Sequence, residues 1–389
     1  MPSTYGFLST YPPTQCGLAT FTAALMRNLA APESGDSAGV VRVVDTPVRS
    51  QAPEVVGHLH THAATSHQAA ASALNTFDVA VVQHEFGIFG GKDGDQVLAV
   101  LDAVRVPVIT VTHTVLASPT AHQREVLEQV VAASAAVVTM TQAARNRLVD
   151  NYHVDAAKVV IIPHGAPRRR GGGGGGMPTP GSRPLILTWG LLGPGKGIEW
   201  AIDGLQPLQR LHPRPAYIIA GQTHPRVRQQ QGEAYRLHLG QRARAVGVSD
   251  LVRFESSYLD ESALTRLIHR ADVILLPYDS REQVTSGVLV EAIAAGKPVV
   301  ATAFPHAVEM LSDGAGMLVP QYDAPAIGAA LYRILTEPDQ ATRMVAAAEG
   351  LVPPLLWPAV AEQYRALTKD VLLSNVHSGQ DLPRPTHAR

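Results

Sequence analysis

The feature that most constrains the fold of this chain is the alternation of short apolar runs with segments of helical length. Strand-like runs occur first at Tyr5–Ser9, Val40–Asp45, Val79–Gln83, Val108–Thr112, Ala136–Met140 and Val159–Pro163. Further runs follow at Leu185–Trp189, Ala216–Ala220, Leu251–Phe254, Val273–Pro277, Pro298–Ala301 and Met317–Val319. Helix-length segments include Thr20–Ala30, Gln123–Ala133, Gln142–Tyr152, Ile198–Leu211 and Ser262–Ala271. Continuous apolar strands that alternate with helices predict an α/β protein with parallel sheets covered on both faces.

A seam divides the pattern into two halves. Three arginines, Arg168–Arg170, are followed by the glycine run Gly171–Gly176 and a proline-rich stretch that ends at Pro184. Such a segment buries too little apolar surface to order itself, so residues 168–184 are predicted to be a linker. We expect doubly wound, Rossmann-like domains at 1–167 and 185–352, facing each other across a cleft.

The C-terminal region is expected to return to the first domain. Residues 353–373 show a helical pattern in which Trp357, Ala361 and Tyr364 lie near one face. This helix is predicted to pack on the first domain, although packing on the second domain alone remains an alternative. Residues 374–389 are polar and are predicted to be disordered.

Composition excludes several classes of protein. A formal net charge of -1 gives no reason to expect a nucleic-acid partner. Cys16 is the single cysteine, so no disulfide framework or cysteine-based zinc site is expected. No apolar stretch approaches the ~20 residues of a membrane span. The N-terminal residues lack the charged and apolar regions of a secretory signal, and the expected location is cytoplasmic.

Residues 278–300, YDSREQVTSGVLVEAIAAGKPVV, carry the clearest functional signal. They read as the end of a strand, a polar loop, a helix and a second strand. Ser286 and Gly287 would open the helix, where free N–H groups and the helix dipole favour a phosphate. Glu291 lies one turn further on and can accept hydrogen bonds from a ribose. The segment therefore predicts a site for a nucleoside diphosphate.

Other polar and glycine residues also fall after predicted strands, where open α/β sheets bind their ligands. Gly17 follows the first strand, His84 and Glu85 the third, and His113 the fourth. In the second half, residues 190–197 follow the first strand. Their convergence supports a cleft, although polar loops are common in any fold of this kind.

Three motifs together resemble a known family: PPTQCGLATF, WGLLGPGKGIE and QVTSGVLVEAIAAGKPVVAT. The chain is similar to the retaining nucleotide-sugar glycosyltransferases of the GT-B fold, in glycosyltransferase family 4. The family pattern places one Glu, seven residues, and then a second Glu. Glu291 matches the second, which in the family holds the nucleotide ribose. The resemblance covers nearly the whole chain and implies a hexosyltransferase.

Two positions depart from the family pattern. Gln283 occupies the position of the first Glu, which usually contacts the donor sugar, so the identity of the sugar is open. Leu191 stands where the family usually has an Arg on the donor diphosphate, whereas the companion Lys196 is present. Arg281 is a candidate replacement for the missing cation.

The resemblance also implies roles for individual residues. The expected donor-binding residues are Gly17, Gly190, Lys196, Thr285, Ser286, Gly287, Val288 and Glu291. The expected catalytic residues are His113, Gln283 and Lys196, with His113 near the ring of the donor sugar. His84 and Glu85 are candidates for the acceptor side, although Glu85 could equally bond a neighbouring loop amide. His164 resembles the family's interdomain turn, where a structural role is expected.

Retaining transfer in this family proceeds without a bound metal or cofactor, and the chain has no Asp-x-Asp motif. The expected donor is GDP-mannose, with UDP-glucose as the close alternative, and the partner is an unidentified hydroxyl acceptor. Two other functions remain open. One is a sugar-nucleotide epimerase of the same architecture, and the other is a sugar-nucleotide-binding protein without transferase activity. The oligomeric state cannot be predicted.

Overall fold

A computed structural model describes residues 2–46, 52–63, 65–167 and 182–380, with side chains through residue 375. The chain divides into two compact units. The first comprises residues 1–163 and 357–389, and the second comprises residues 164–356. The predicted boundaries were 167 and 185, and most of the predicted linker lies outside the described residues. No helix in the described ranges is long and apolar enough to cross a membrane.

The first unit is built on a parallel sheet. Within its described residues, seven strands form the order β3-β2-β1-β4-β5-β6-β7. The strands are β1 (Thr4–Ser9), β2 (Ser37–Val44), β3 (Val55–His60), β4 (Val79–His84), β5 (Val108–Thr112), β6 (Ala136–Thr139) and β7 (Val159–Ile161). The helices are α1 (Gly17–Leu29), α2 (Thr65–Leu74), α3 (Gln96–Leu101), α4 (Ala121–Ala132) and α5 (Gln142–Asn151). Short 3₁₀ helices cover Lys92–Gly94 and Ala156–Lys158.

The second unit repeats this architecture. In the part that the structure describes, six parallel strands form the order β10-β9-β8-β11-β12-β13. They are β8 (Leu185–Trp189), β9 (Ala216–Ala220), β10 (Val252–Glu255), β11 (Val273–Leu276), β12 (Val299–Thr302) and β13 (Met317–Val319). The helices are α6 (Ile198–Asp203), α7 (Pro225–Gln231), α8 (Ala234–Ala245), α9 (Glu261–Arg270), α10 (Gly287–Ala294), α11 (Pro305–Leu311), α12 (Ala324–Thr336), α13 (Pro338–Glu349) and α14 (Val352–Leu355).

Both sheets bury apolar residues on each face, as the continuous strand runs predict. In the second unit, Leu187 and Ile274 belong to one core cluster, whereas Ile186 and Leu275 belong to another. Successive strand residues point to opposite faces, so the sheet separates the two clusters. The α/β class with two doubly wound parallel sheets is confirmed.

The C-terminal helix α15 (Trp357–Gln380) belongs to the first unit. Its first residue, Trp357, packs edge-on against Phe21 of α1 at 5.2 Å between ring centroids. The tail predicted to be disordered from Ser374 is helical as far as Gln380. This prediction was wrong for residues 374–380, because a helix anchored by its apolar face extends at little cost per residue.

Two further elements differ from the sequence prediction. Strand β3 was missed, since its sequence VVGHLH mixes apolar and polar residues. The predicted helix over 198–211 is broken into α6 and a 3₁₀ helix at Gln206–Arg210. Pro207, in this segment, lacks the N–H that a continuous helix needs.

Candidate functional site

The loops after β8 and β11 meet at the carboxyl edge of the six-stranded sheet. The backbone N–H of Asp279 donates to the carbonyl of Gly195 at 3.3 Å, as does that of Ser280. A Cβ on Gly190 would lie 3.9 Å from a methyl group of Val288 in the first turn of α10. The structure thus brings the predicted residues of the two motifs together within one unit.

Glycine is required at Gly197, the residue that precedes α6. It has a φ of +60°, and a Cβ there would lie 1.9 Å from the carbonyl oxygen of Pro277. Any larger side chain would therefore separate the β8 loop from the end of β11. This close approach fixes the position of Lys196, the preceding residue.

Lys196 is held over an aromatic ring. Its Nζ lies 4.2 Å from the ring centroid of Tyr278, which is itself buried against Phe304. The half-exposed ammonium forms no ion pair within the described residues. A cation–π contact orients such a group without neutralising it. The charge of Lys196 is therefore available to an anionic ligand.

Helix α10 begins as predicted, with Ser286 as its N-cap and Gly287 as its first residue. The Ser286 Oγ accepts the N–H of Leu289 at 3.2 Å. The hydroxyl of Thr285 is buried and has no hydrogen-bond partner within the described residues. The first-turn N–H groups of an eight-residue helix and its dipole favour an anion here.

Two histidines lie behind this helix start, His306 buried and His164 half-buried. The Nδ1 of His306 accepts the backbone N–H of Ser286 at 2.8 Å. A Cβ on Gly287 would lie 2.6 Å from Nε2 of His164. Burial lowers the pKa of His164 to about 4 and that of His306 to about 3. Both rings are therefore neutral at pH 7 and serve to position the turn.

Glu291 is half-buried and lies near the side chain of Trp189, the last residue of β8. Burial raises the pKa of its carboxyl group to about 7, and the neighbouring Trp189 side chain opposes that shift. Trp189 is itself only 6% exposed.

Gln283 makes a hydrogen bond that a glutamate could not make. Its amide Nε2 donates to the carbonyl of Thr285 within the same loop. A carboxylate only accepts hydrogen bonds. A Glu at this position would therefore place a carboxylate oxygen next to the carbonyl oxygen of Thr285, and neither could donate. The substitution therefore has a local structural reason. Arg281 and Leu191 lie in the two contacting loops, where Arg281 is exposed and Leu191 is half-exposed.

The candidate residues of the first unit are placed differently. Gly17 is the first residue of α1, and a Cβ there would meet nothing within 4 Å. Nε2 of His113 lies 2.6 Å from Oε1 of Gln83, and the ring packs edge-on against Phe21. Glu85 accepts a hydrogen bond from the N–H of Gly87 at 2.7 Å, so it bonds a neighbouring loop amide, as one of the two alternatives for this residue expected.

His84 is a candidate that the structure removes from the surface. It closes β4, is 0% exposed, and packs against Phe86 and Phe89. Neither ring nitrogen has a hydrogen-bond partner within the described residues, and burial lowers its pKa to about 4. An acceptor could not touch this side chain as it lies here, so the acceptor-side role of His84 finds no support.

Three positioning residues escaped the sequence analysis: Trp189, Gln83 and His306. Trp189 and Gln83 lie inside strand runs, where nothing in the sequence marks a side chain that reaches the carboxyl edge. His306 could have been found, because it follows β12 in the way that the other candidates follow their strands. Within the described residues, no group of three or more His, Cys, Asp or Glu side chains could hold a metal ion.

Comparisons with known proteins agree with this geometry. The sucrose-phosphate synthase of Thermosynechococcus elongatus matches the structure with a TM-score of 0.74 at 17% identity, over 96% of this chain and 100% of that one. Anabaena Alr3699/HepE, solved in complex with UDP, matches with a TM-score of 0.73 at 16% identity, over 94% and 100%. At such low identity these likenesses show the fold alone, and they define a protein of the GT-B class.

The sequence comparison is more specific. Residues 177–350 match the model of the family described as glycosyl transferases group 1. The D-inositol 3-phosphate glycosyltransferase of Kineococcus radiotolerans is 29% identical over 267 residues, which are 62% of this chain and 60% of that protein. The chain thus spans less than two thirds of that relative's length. The family model thus matches the second half of the chain, residues 177–350, in agreement with the resemblance found in the sequence.

Proposed function

We propose that this protein is a retaining, metal-independent glycosyltransferase that moves a hexose from a nucleotide-sugar donor to a hydroxyl acceptor. The observation that carries the proposal is the contact between the β8 loop and the start of α10. It gathers Lys196, the Ser286–Gly287 turn and Glu291 at one edge of the second sheet. Phosphate-binding and ribose-binding groups then lie at the two ends of one helical turn.

The diphosphate would lie between Lys196 and the first turn of α10. Leaving-group departure places negative charge on the pyrophosphate, and preorganised donors that meet this charge lower the barrier. Lys196 supplies a full charge and the helix start supplies N–H groups. These groups take the place of a metal ion. Leu191 provides no cation, so the backbone donors carry a larger share than in the family pattern.

The ribose would bind to Glu291. Its pKa of about 7 means that the carboxyl group is only partly ionised in the unliganded protein at neutral pH. Two hydroxyl donors from a ribose favour the ionised form, so donor binding is expected to lower this pKa. The same ligand would compensate for the burial of the charge.

The sugar would face Gln283. We retain GDP-mannose as the proposed donor and UDP-glucose as the alternative. The complex of Alr3699/HepE with UDP-glucose supports the alternative for a protein of this fold. In attack on the same face of the sugar, the acceptor oxygen would bond to the anomeric carbon as the bond to the diphosphate breaks. The hydroxyl proton would pass to a donor phosphate oxygen, and the protein would hold both reactants in position.

A donor panel tests the proposal. The full-length protein is titrated with GDP-, UDP- and ADP-sugars by thermal shift, where a ligand at a hundred times its Kd adds ~2.7 kcal/mol. The nucleotide sugar that stabilises the protein most is then incubated with the protein and a panel of sugar, cyclitol and lipid acceptors, with EDTA present. We expect a glycosylated product with the anomeric configuration of the donor. Inversion, or turnover only with added manganese, would contradict the proposed mechanism.

A second candidate is a sugar-nucleotide-binding protein without transferase activity. The observations that favour it are Gln283, which bonds its own loop, and Leu191 at the usual Arg position. Under this alternative a nucleotide sugar stabilises the protein but remains intact with every acceptor. Release of a free epimerised sugar would instead identify the epimerase.

A further inference from the structure

Arg42, near the carboxyl end of β2, is a buried guanidinium without a counter-ion among the described residues. It is 7% exposed, and its Nη2 donates to the hydroxyl of Thr14 at 2.9 Å. Its Nε is buried with no hydrogen-bond partner, and among the described residues it forms no ion pair. A buried charge held by one neutral partner costs several kcal/mol. No described residue supplies an anion that would offset this cost.

A register shift brings two histidines beside Arg42. Strand pairing between β2 and β3 slips between Val40 and Val41, after which Arg42 pairs with His58 and Val44 with His60. Alternate residues of a strand share a face, so Arg42, His58 and His60 lie on the same side of the sheet. The slip is what turns both histidines towards the face that holds the arginine.

The two histidines also carry polar atoms without partners. Their rings are stacked with centroids 6.0 Å apart. Nε2 of His58 and Nδ1 of His60 are buried and make no hydrogen bond to any described residue. Burial, His60 and Arg42 together lower the pKa of His58. Asp45, which follows β2, is exposed and instead accepts a hydrogen bond from Thr61 at 2.9 Å.

The cluster lies where a ligand of the first unit would bind. Arg42 reaches Thr14 in the loop that joins β1 to α1, and this loop is at the carboxyl edge of the sheet. Open α/β sheets bind ligands beyond that edge. The same loop leads to Gly17, so the cluster adjoins the glycine that the sequence analysis assigned to substrate binding.

We propose that Arg42, Thr14, His58 and His60 bind a phosphate monoester on the acceptor substrate. A guanidinium presents several N–H donors, imidazoles add one each in the neutral form, and the Thr14 hydroxyl can donate or accept. A tetrahedral phosphate accepts such bonds from several directions at once, whereas a planar carboxylate offers only two oxygens. The proposal rests on the proposed transferase function, since it names the class of acceptor.

Calorimetric titration of the full-length protein without donor tests the site directly. The ligands are inorganic phosphate and glucose 6-phosphate, with glucose and glucuronate as matched ligands that lack the phosphate. We expect both phosphate ligands to bind, and Arg42→Met to weaken them at least tenfold. Arg105, exposed and before β5, provides the control, and Arg105→Met should bind like the wild type.

Several results would overturn the proposal. These are no phosphate binding by the wild type, unchanged binding by Arg42→Met, or equal binding of glucuronate and glucose 6-phosphate. Arg42→Met is expected to melt no lower than the wild type without phosphate, because it removes an unpaired charge. A markedly lower melting temperature, repaired by Arg42→Lys without phosphate binding, would show a purely structural arginine.

The outcome is separable from the transferase proposal. Binding of GDP and UDP is measured on the same samples. Phosphate binding without nucleotide binding would contradict the donor site alone, and the reverse result would contradict the Arg42 site alone.

Discussion

The two units share one architecture but hold their functional residues in opposite ways. In the second unit, Lys196 and the start of α10 leave charge and N–H groups unmatched within the described residues. In the first unit, His113 and Glu85 are already hydrogen-bonded and His84 is buried. The difference indicates that the second unit is preorganised for a ligand of defined chemistry. In the first unit, the binding groups that we propose lie elsewhere, in residues such as Arg42.

The largest expected effect concerns Glu291. Glu291→Ala should weaken nucleotide binding by roughly 1.5–3 kcal/mol, as expected for a lost hydrogen bond to a charged group. It should also lower the melting temperature, because it removes a side chain that lies beside the buried Trp189. Calorimetry and thermal unfolding measure the two effects.

The matched control for this change is Glu349→Ala, at an exposed glutamate of the same unit. It should leave both quantities unchanged. Normal nucleotide affinity in Glu291→Ala would show that Glu291 does not contact the ribose. The strongest contrast between the two units would then be lost.

Lys196 should distinguish the phosphates from the nucleoside. Lys196→Ala should weaken binding of a nucleoside diphosphate by roughly 1.5–2.5 kcal/mol, since a charged partner is lost. Affinity for the corresponding nucleoside should barely change. Equal losses for both ligands, measured by calorimetry at one salt concentration, would argue against a phosphate contact.

The burial of His84 provides a test of the same comparison in the first unit. Burial lowers its pKa from 6.5 to about 4, so the unfolded chain binds a proton between these values while the folded chain does not. His84 should therefore reduce the free energy of unfolding as the pH falls through that window, by about 1–2 kcal/mol at pH 5. His84→Leu should lose less stability than the wild type between pH 7 and pH 5.

Denaturant unfolding at the two pH values measures this difference, with the exposed His62→Leu as control. The KM for the acceptor should not change in His84→Leu. A raised KM with normal kcat would restore His84 to the acceptor side.

Substitution of Gln283 should change the binding free energy least among these variants, but it should change the selectivity for donor sugars. Gln283→Glu loses the bond to the Thr285 carbonyl and should alter the ranking of donor sugars that share one nucleotide, by several-fold or about 1 kcal/mol. Affinity for the free nucleotide should stay nearly constant. Gln283→Ala should lower kcat, and wild-type turnover and preference in both variants would show that Gln283 does not touch the donor.

The sequence predicted the fold well because strand runs such as Leu185–Trp189 and Ala216–Ala220 are continuous, apolar and bounded by turns. It missed β3, whose histidines break that pattern. It identified the α10 start, since an N-cap serine before an apolar helix is a local signal. It could not predict the proximity of Trp189 to Glu291 or the burial of His84, because both depend on contacts between distant segments.

The central claim is that protein groups of the second unit, not a metal ion, hold the nucleotide diphosphate. Titration of the metal-stripped protein with GDP and UDP tests it, first in saturating EDTA and then in excess magnesium. We predict that the preferred nucleotide binds with the same Kd in both conditions. Lys196→Ala should weaken this binding by the same factor in EDTA and in magnesium. Binding that disappears in EDTA and returns with magnesium would contradict the account.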